Sequence, residues 1–259
     1  MSAITSRHHA IVKEFREAAR GRDLMLLDGW HLLTEAVNAG IVVETLAVCG
    51  LPTADEQTVI DRARRANARV VEVSGAVLNA LSPVNSPTGV VATARKPLTV
   101  AADMLAPAPA LVLAGLGIQD AGNIGAIIRS AAAAGSTGVM VDQATADPWG
   151  WKALRASMGG VFHLPVIRSR HPLGTLAEWR SAGVSIVATV PRDGVAIYDT
   201  DLRRPTVVLM GGEGPGLAAE VIAAADARVT IPMNDGVESL NVAVAAALIL
   251  YEARRQRAR

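Results

Sequence analysis

Ile231-Pro-Met-Asn-Asp-Gly-Val-Glu-Ser-Leu-Asn241 joins the end of an apolar strand to a long C-terminal helix, and it is the most informative stretch of this chain. Two other polar islands precede it, Asp120-Ala-Gly-Asn-Ile-Gly-Ala-Ile-Ile-Arg129 and Met210-Gly-Gly-Glu-Gly-Pro-Gly216. Each island follows a predicted strand and leads into a predicted helix. These three connections hold nearly all of the candidate functional residues.

The sequence around the islands predicts an α/β fold. From residue 110 onward, predicted strands cover 110–114, 138–141, 184–190, 206–210 and 227–231. Predicted helices lie near 124–134, 149–156, 173–182, 217–225 and 242–255. Several strands are continuous runs of Val, Ile, Leu and Ala, which is typical of parallel strands covered on both faces. We therefore expect a parallel sheet flanked by helices.

The first half of the chain predicts a smaller α/β domain of its own. A basic amphipathic helix is expected at 10–22, where Ile11, Val12, Phe15 and Ala18 form the apolar stripe. Prolines at 97, 107 and 109 then interrupt the alternation of strands and helices. The sequence thus predicts a domain at 1–97, a linker at 98–109 and a second domain at 110–259.

The composition favours a globular protein without membrane segments or metal. The chain has 259 residues, 51% of them apolar, which is enough to bury a substantial core. No apolar run reaches the roughly 18 residues that span a bilayer, and the start lacks the apolar stretch of a signal peptide, so we expect a cytoplasmic protein. The single cysteine, Cys49, excludes an intrachain disulfide, and the five histidines lack metal-ligand spacing.

The basic residues are unevenly placed although the net charge is only +1. One group lies at the N-terminus, a second at 62–69 and a third at the C-terminus: Arg7, Lys13, Arg16, Arg20, Arg22; Arg62, Arg64, Arg65, Arg69; Arg254, Arg255, Arg257, Arg259. Clustered cations favour a polyanion through counterion release. Solvated helix faces and a frayed tail are the alternative explanation of any one group.

In the first island, Asn123 is well placed to cap a helix whose buried face contains Ile124, Ile127 and Ile128. Arg129 lies off that face beside small alanines, so its guanidinium is open to approach. A plain surface arginine is the alternative.

The second island is rich in glycine, but a phosphate cradle fits it poorly. It has no Gly-x-Gly-x-x-Gly register, no Gly-Lys-Ser/Thr follows, and Glu213 adds a negative charge. A backbone that approaches a neutral or cationic ligand, such as the sulfonium of S-adenosylmethionine, fits better than a phosphate. The alternative is a glycine-rich turn with a solvated glutamate.

In the third island, Ser239 and Asn241 are both suited to cap the C-terminal helix. The sequence alone does not separate a cap from a catalytic group.

The order and spacing of the islands resemble the SpoU/TrmH-type RNA ribose 2′-O-methyltransferases of the SPOUT, or α/β-knot, superfamily. The matching residues are Asn123, Gly125 and Arg129; Gly211, Glu213 and Gly214; Ile231, Pro232, Met233, Ser239, Leu240 and Asn241. Two positions depart from the family pattern: Ala121 stands where proline is usual, and Gly212 where asparagine or alanine is common. The first half resembles the family's L30e-like substrate-binding domain, through Leu27-Asp-Gly-Trp-His-Leu-Leu-Thr-Glu35 and residues 73–92.

This resemblance implies a trefoil-knotted, Rossmann-like parallel sheet after a smaller L30e-like domain. It implies transfer of a methyl group from S-adenosylmethionine to a ribose 2′-hydroxyl of RNA by a homodimer. The implied catalytic residues are Arg129, Asn123, Glu213, Ser239 and Asn241, and the donor is expected to touch Thr189, Gly211, Ile231 and Leu240. Since a guanidinium stays protonated, we expect Arg129 to stabilise an oxyanion and anchor a phosphate rather than act as a literal base.

The expected substrate is 23S ribosomal RNA, because relatives with such an N-terminal domain more often modify ribosomal RNA. A tRNA ribose 2′-O-methyltransferase is the alternative. A nucleotide-dependent oxidoreductase is disfavoured by the glycine spacing and by Glu213. A noncatalytic RNA-binding knot protein predicts loss of the arginine or of Ser-Leu-Asn, and this chain keeps both.

Overall fold

The computed structural model describes residues 3–106 and 108–258 of the chain. Two compact units are present. The first is Met1–Leu98 together with Trp149–Phe162, and the second is Thr99–Pro148 together with His163–Arg259. Within the described residues, no helix is both long enough and apolar enough to cross a membrane.

The first unit is built on a mixed four-stranded sheet. Up to residue 98 its elements are α1 (Ala10–Arg20), β1 (Leu24–Asp28), α2 (Trp30–Asn38), β2 (Val43–Val48), α3 (Ala54–Arg65), β3 (Arg69–Glu72), α4 (Gly75–Leu81) and β4 (Val90–Arg95). The strand order is β1-β4-β2-β3. Strand β4 is antiparallel to both of its neighbours, whereas β2 and β3 are parallel.

Helix α1 confirms the predicted amphipathic helix. His9 caps it by accepting a hydrogen bond at Nδ1 from the backbone N–H of Ile11, at 3.2 Å. The predicted apolar stripe is buried and packs against α4 and the sheet. The sequence analysis does not predict α4, whose seven residues are too few to show a helical period.

From residue 99 onward the elements are β5 (Leu111–Leu116), α5 (Ala121–Ala134), β6 (Gly138–Val141), α6 (Trp151–Ser157), β7 (Val166–Arg168), α7 (Pro172–Ser181), β8 (Ser185–Thr189), β9 (Val195–Ala196), β10 (Thr206–Gly211), α8 (Ala219–Ala223), β11 (Ala227–Thr230) and α9 (Val242–Arg257). All except α6 belong to the second unit.

The second unit contains a seven-stranded sheet in the order β7-β6-β5-β10-β8-β11-β9. Every pair in it is parallel, and strands β5 and β6 are buried along their whole length. The predicted α/β class, with a parallel C-terminal sheet and a separate small N-terminal domain, is confirmed. The short edge strands β7 and β9 are not predicted, because two or three residues carry no strand pattern.

Part of the segment predicted as a linker packs into the second unit. A 3-10 turn at Ala101–Met104 buries the Met104 side chain completely. Met104 lies against Gly138, where a Cβ atom would come within 2.5 Å of the Met104 Cγ. Glycine at the start of β6 therefore makes room for this methionine.

Residues Trp149–Phe162 form part of the first unit, although the sequence analysis assigns them to the second domain. Their helix α6 lies against β1. Gly159 follows it with φ of +83°, and a Cβ there would lie 2.6 Å from Glu35 Cγ. The sequence gives no sign of this arrangement, because the segment joins the first unit through side-chain packing and has no strand or linker pattern that would mark it.

Asp28, at the end of β1, is a half-buried carboxylate. It accepts a hydrogen bond from Ser82 Oγ at 2.5 Å. Burial raises the pKa of the Asp28 carboxyl, while the Ser82 hydrogen bond and the positive charge of Arg155 oppose this rise. The charged form is therefore disfavoured in the folded state.

We predict that Asp28→Asn raises the free energy of unfolding at pH 7, because it removes the desolvated charge and keeps an oxygen for Ser82. The gain is full above the raised folded-state pKa, shrinks as the pH falls towards the unfolded-state pKa, and vanishes below it, where the acid is neutral in both states. Urea unfolding at pH 7 and at pH 3.5 measures it. A less stable variant at pH 7 would mean that attraction to Arg155 outweighs burial.

Candidate functional site

The three polar islands meet at the carboxyl ends of the parallel strands of the second unit. An open cleft of about 590 Å³ lies there, between the loops that follow β8, β10 and β11 and the first turns of α9. Such strand ends are where open α/β sheets bind ligands, and the volume is typical of a small-molecule site. The lining includes Thr189, Val190, Pro191, Met210, Gly211, Gly212, Glu213, Ile231, Met233, Glu238, Ser239, Leu240 and Asn241.

The loop after β10 doubles back onto its own strand. Gly216 N–H donates to the Gly212 carbonyl at 3.1 Å, and Gly214 and Gly216 have φ of +88° and +66°. A Cβ on Gly211 would lie 2.2 Å from the Gly216 carbonyl carbon, and one on Gly212 would lie 2.1 Å from the carbonyl oxygen of Gly117. Glycine at 212, a departure from the family pattern, thus fits a close contact with the loop after β5.

A chain of hydrogen bonds joins all three islands. Asn241 caps α9, because its Oδ1 accepts from the backbone N–H groups of Ala243 at 2.9 Å and Val244 at 3.3 Å. Its Nδ2 therefore faces outward and donates to Asn123 Oδ1 at 3.1 Å. Asn123 in turn donates from Nδ2 to Glu213 Oε1. The cap consequently sets the orientation of both amides.

The N-cap prediction for Asn123 is wrong. Asp120 occupies the N-cap of α5, and its Oδ1 accepts from the backbone N–H of Asn123 at 2.8 Å. Asn123 stands in the first turn of the helix, and its side chain reaches the other two islands. Asn241, in contrast, is both a cap and a member of the site, so the two explanations left open by the sequence are compatible.

The cleft is acidic. Glu213 and Glu238 both line it, and none of the described residues that line it is lysine, arginine or histidine. Such a cleft suits a cation with an apolar body better than a pyrophosphate. Glu238 is not among the site residues predicted from the sequence, where only its position next to Ser239 points to it.

All four residues expected to touch the donor line this cleft. They are Thr189, Gly211, Ile231 and Leu240. The Thr189 hydroxyl donates to the Leu209 carbonyl at 2.8 Å, which fixes its side chain against β10. Ser239 lines the cleft with a hydroxyl that has no hydrogen-bond partner among the described residues. No group of histidine, cysteine or acidic side chains suited to hold a metal occurs in the described part of the chain.

Arg129 stands apart from this cleft. It is exposed on α5, does not line the cleft, and has no hydrogen bond or ion pair with a described residue. Six residues along a helix correspond to about 9 Å of rise and about 240° of rotation, so Arg129 and Asn123 point in different directions. A single chain therefore brings together Asn123, Glu213, Ser239 and Asn241 but leaves Arg129 out.

Comparison with known proteins gives a consistent set of relatives. The profile of the SpoU rRNA Methylase family matches residues 110–251, and that of the MRM3-like substrate binding domain matches residues 13–92. An uncharacterized tRNA/rRNA methyltransferase of Synechocystis is 36% identical over 99% of this chain and 94% of its own length. The 23S rRNA (guanosine(2553)-2′-O)-methyltransferase of Bacillus subtilis is 29% identical over 98% of this chain and 100% of its own length.

Solved structures agree. The SpoU methyltransferase AviRb from Streptomyces viridochromogenes, in complex with AdoMet, superimposes with a TM-score of 0.88 at 30% identity, covering 97% of this chain and 99% of that one. The TrmH/SpoU tRNA modifying enzyme of A. aeolicus reaches a TM-score of 0.52 at 29% identity and covers 57% of this chain and 75% of that one. These matches confirm the predicted α/β-knot fold class.

We predict that Gly211→Val lowers the affinity for S-adenosylmethionine about tenfold or more, because the new side chain displaces the loop that returns over residue 211, and overpacking costs about 1–3 kcal/mol. Calorimetry measures the affinity. Gly174→Ala in α7 is the matched control, since a Cβ there meets only His171 Cβ at 3.8 Å. Unchanged affinity in Gly211→Val would show that this loop does not shape the donor site.

A second prediction concerns the amide chain. Asn241→Asp keeps the cap acceptor, so the melting temperature should change little. It removes the donor to Asn123, whose amide must then turn and place its oxygen against Glu213. We expect weaker S-adenosylmethionine binding in this variant, whereas Asn241→Ala should also lose about 1 kcal/mol of stability with the cap. Full affinity in Asn241→Asp would argue against a role for the amide orientation.

Proposed function

This chain belongs to the SpoU rRNA methylase family of RNA methyltransferases, and we propose that it transfers a methyl group from S-adenosylmethionine to a ribose 2′-hydroxyl of 23S ribosomal RNA. The main support for the proposal is the acidic cleft, beside which Asn123, Glu213 and Asn241 form a chain of hydrogen bonds. It combines the three family motifs in one site.

The cleft residues fit the donor. Its adenosine and methionine parts would lie against backbone at Gly211, Ile231 and Leu240, where glycine permits close approach. The carboxylates of Glu213 and Glu238 would balance the positive sulfonium. The bound donor supplies an electrophilic methyl group.

The acceptor hydroxyl needs an activating group that the described lining of one chain's cleft does not provide. A ribose hydroxyl is a poor nucleophile until its proton leaves or its developing negative charge is stabilised. No basic side chain among the described residues lines the cleft. The free Ser239 hydroxyl would orient the ribose, and Arg129, always protonated, would stabilise the oxyanion and hold the adjacent phosphate.

We propose that a second copy of the chain brings Arg129 to the cleft. Helix α9 exposes Val244, Leu248 and Tyr251, at 50%, 42% and 51% of their surfaces. Their spacing places them on one helix face, and self-association would cover it. The neighbouring Ile249 is buried in the core of its own unit and is therefore not part of this face.

The preference for ribosomal over transfer RNA rests on the first unit. The Bacillus subtilis relative named for 23S rRNA methylation matches nearly the whole chain, whereas the tRNA modifying enzyme covers only 57% of it. The first unit includes residues 13–92, which match a substrate-binding domain. Modification of tRNA is the second candidate.

We predict that Arg129→Ala lowers methyl transfer about 10²–10³-fold, the usual effect of removing one oxyanion donor, while donor affinity stays unchanged. Arg129→Lys should also fail, because an ammonium lacks the planar fork. Transfer of tritiated methyl to unmodified 23S rRNA and to tRNA measures this. Arg203→Ala is the control, since Arg203 is exposed and paired only with Asp201. Full turnover in Arg129→Ala would remove this residue from the mechanism.

Complementation tests the shared site. When Arg129→Ala and Gly211→Val chains are mixed, each mixed dimer regains one intact site if Arg129 acts on its partner's cleft, so random pairing should restore roughly a quarter of the wild-type activity. No recovery, with mixed dimers verified by mass, would place Arg129 in the site of its own chain.

A further inference from the structure

The basic residues of this chain differ in how many hydrogen bonds and ion pairs they already make within the protein. In the C-terminal group, Arg254 donates to the Ala133 carbonyl at 3.0 Å, and Arg255 pairs with Glu252 at 2.7 Å. Arg257 donates to four backbone carbonyls at 2.6, 2.7, 2.8 and 3.0 Å, and burial lowers the pKa of its guanidinium. Within the described residues, the arginines of the C-terminal group therefore bond to the protein itself and are not free to bind a ligand.

The second basic group is engaged as well. Arg64 and Arg69 pair with the carboxylates of Asp61 and Glu14, whereas Arg62 donates to the Asn38 side-chain oxygen and Arg65 to the Asp61 backbone carbonyl. A guanidinium that already donates to an oxygen of the protein has fewer N–H groups left for a phosphate than a free one, and a carboxylate partner reduces the gain further. These arginines are poor candidates for a polyanion contact.

The N-terminal group is different, because four of its residues form, together with His8, a surface that we call the α1 surface: Arg7, His8, Lys13, Arg16 and Arg20. Lys13, Arg16 and Arg20 are spaced by three and four residues, so they form one exposed stripe opposite the buried face of α1. A shallow depression of about 370 Å³ lies between these side chains and Asn79 of α4, and a second of about 420 Å³ is lined by the α1 surface itself and Glu17.

The cations of the α1 surface are largely free. Arg16 and Arg20 have no hydrogen bond or ion pair with a described residue. Arg7 donates only from Nε, to the Ala76 carbonyl at 3.1 Å, which orients its guanidinium and leaves the terminal N–H groups available. Lys13 pairs with Glu17 at 3.7 Å on the open surface, where such a pair is worth little. Glu14 is held by Arg69.

We propose that the α1 surface binds the phosphate backbone of the RNA substrate, a role that rests on the proposed function and adds a second contact outside the donor cleft. The surface carries four cations and one carboxylate, Glu17, which pairs only weakly with Lys13, and guanidinium forks match phosphate oxygens. A lipid surface fits less well, since the large apolar residues of α1 are buried and its exposed apolar residues are alanines, which are too small to anchor a helix in a bilayer. The contact positions RNA without reading its bases.

The test compares Arg16→Gln/Arg20→Gln with the control Arg62→Gln/Arg64→Gln, which removes two arginines of the same unit whose terminal N–H groups already donate to protein oxygens. Binding of unmodified 23S rRNA is measured in full-length protein across salt concentrations, without the methyl donor. Each lost phosphate contact should reduce the slope of log K against log salt by about 0.7–0.9, so the first variant should lose about 1.5 and the control close to none. Arg16→Lys/Arg20→Lys should restore most of the slope.

An unchanged slope in Arg16→Gln/Arg20→Gln, or an equal loss in the control, would overturn the proposal. So would binding to vesicles of anionic lipid that needs the same two arginines and exceeds binding to RNA. S-adenosylmethionine affinity should be equal in all variants. Because RNA binding is scored without methyl transfer, failure of the proposed activity with an intact slope effect would leave the α1 surface supported and the reaction refuted.

Discussion

The N-cap of α9 is the interaction on which the site depends. A helix start leaves backbone N–H groups without partners, and Asn241 satisfies two of them with its oxygen. That choice leaves only its nitrogen for Asn123, and Asn123 then has only its nitrogen for Glu213. The capping of α9 thus fixes which group donates and which accepts in all three segments, although these segments lie far apart in the sequence.

The parallel sheet explains why these segments meet. Every strand of the second unit points the same way, so the loops after β5, β8, β10 and β11 emerge at one edge. The glycines at 211 and 212 then let the loop after β10 press against neighbouring backbone, where a Cβ would lie within about 2.2 Å of carbonyl atoms. The cleft is therefore shaped by backbone, while its carboxylates supply the charge.

Although the net charge is only +1, the acidic and basic residues lie at different sites and have different roles. The cleft at the strand ends has two carboxylates and no basic residue in its described lining. Most arginines of the second and third basic groups are occupied by carbonyls or carboxylates of their own unit. The free cations of α1 remain, and the division matches a protein that takes a cationic cofactor at one site and a polyanion at another.

The sequence by itself determined the α/β class, the five main strands of the second unit, the buried stripe of α1 and the residues around the cleft, because continuous apolar runs, helical periods and short motifs are local signals. Only the tertiary structure decided that Asp120 and not Asn123 caps α5, that Glu238 joins the cleft, that Trp149–Phe162 packs with the first unit, and that Arg129 stands outside its own cleft. The first of these is a choice between two capping residues three positions apart, which the sequence leaves open. The others depend on contacts between residues tens to more than a hundred positions apart, and such contacts leave no period or spacing in the sequence.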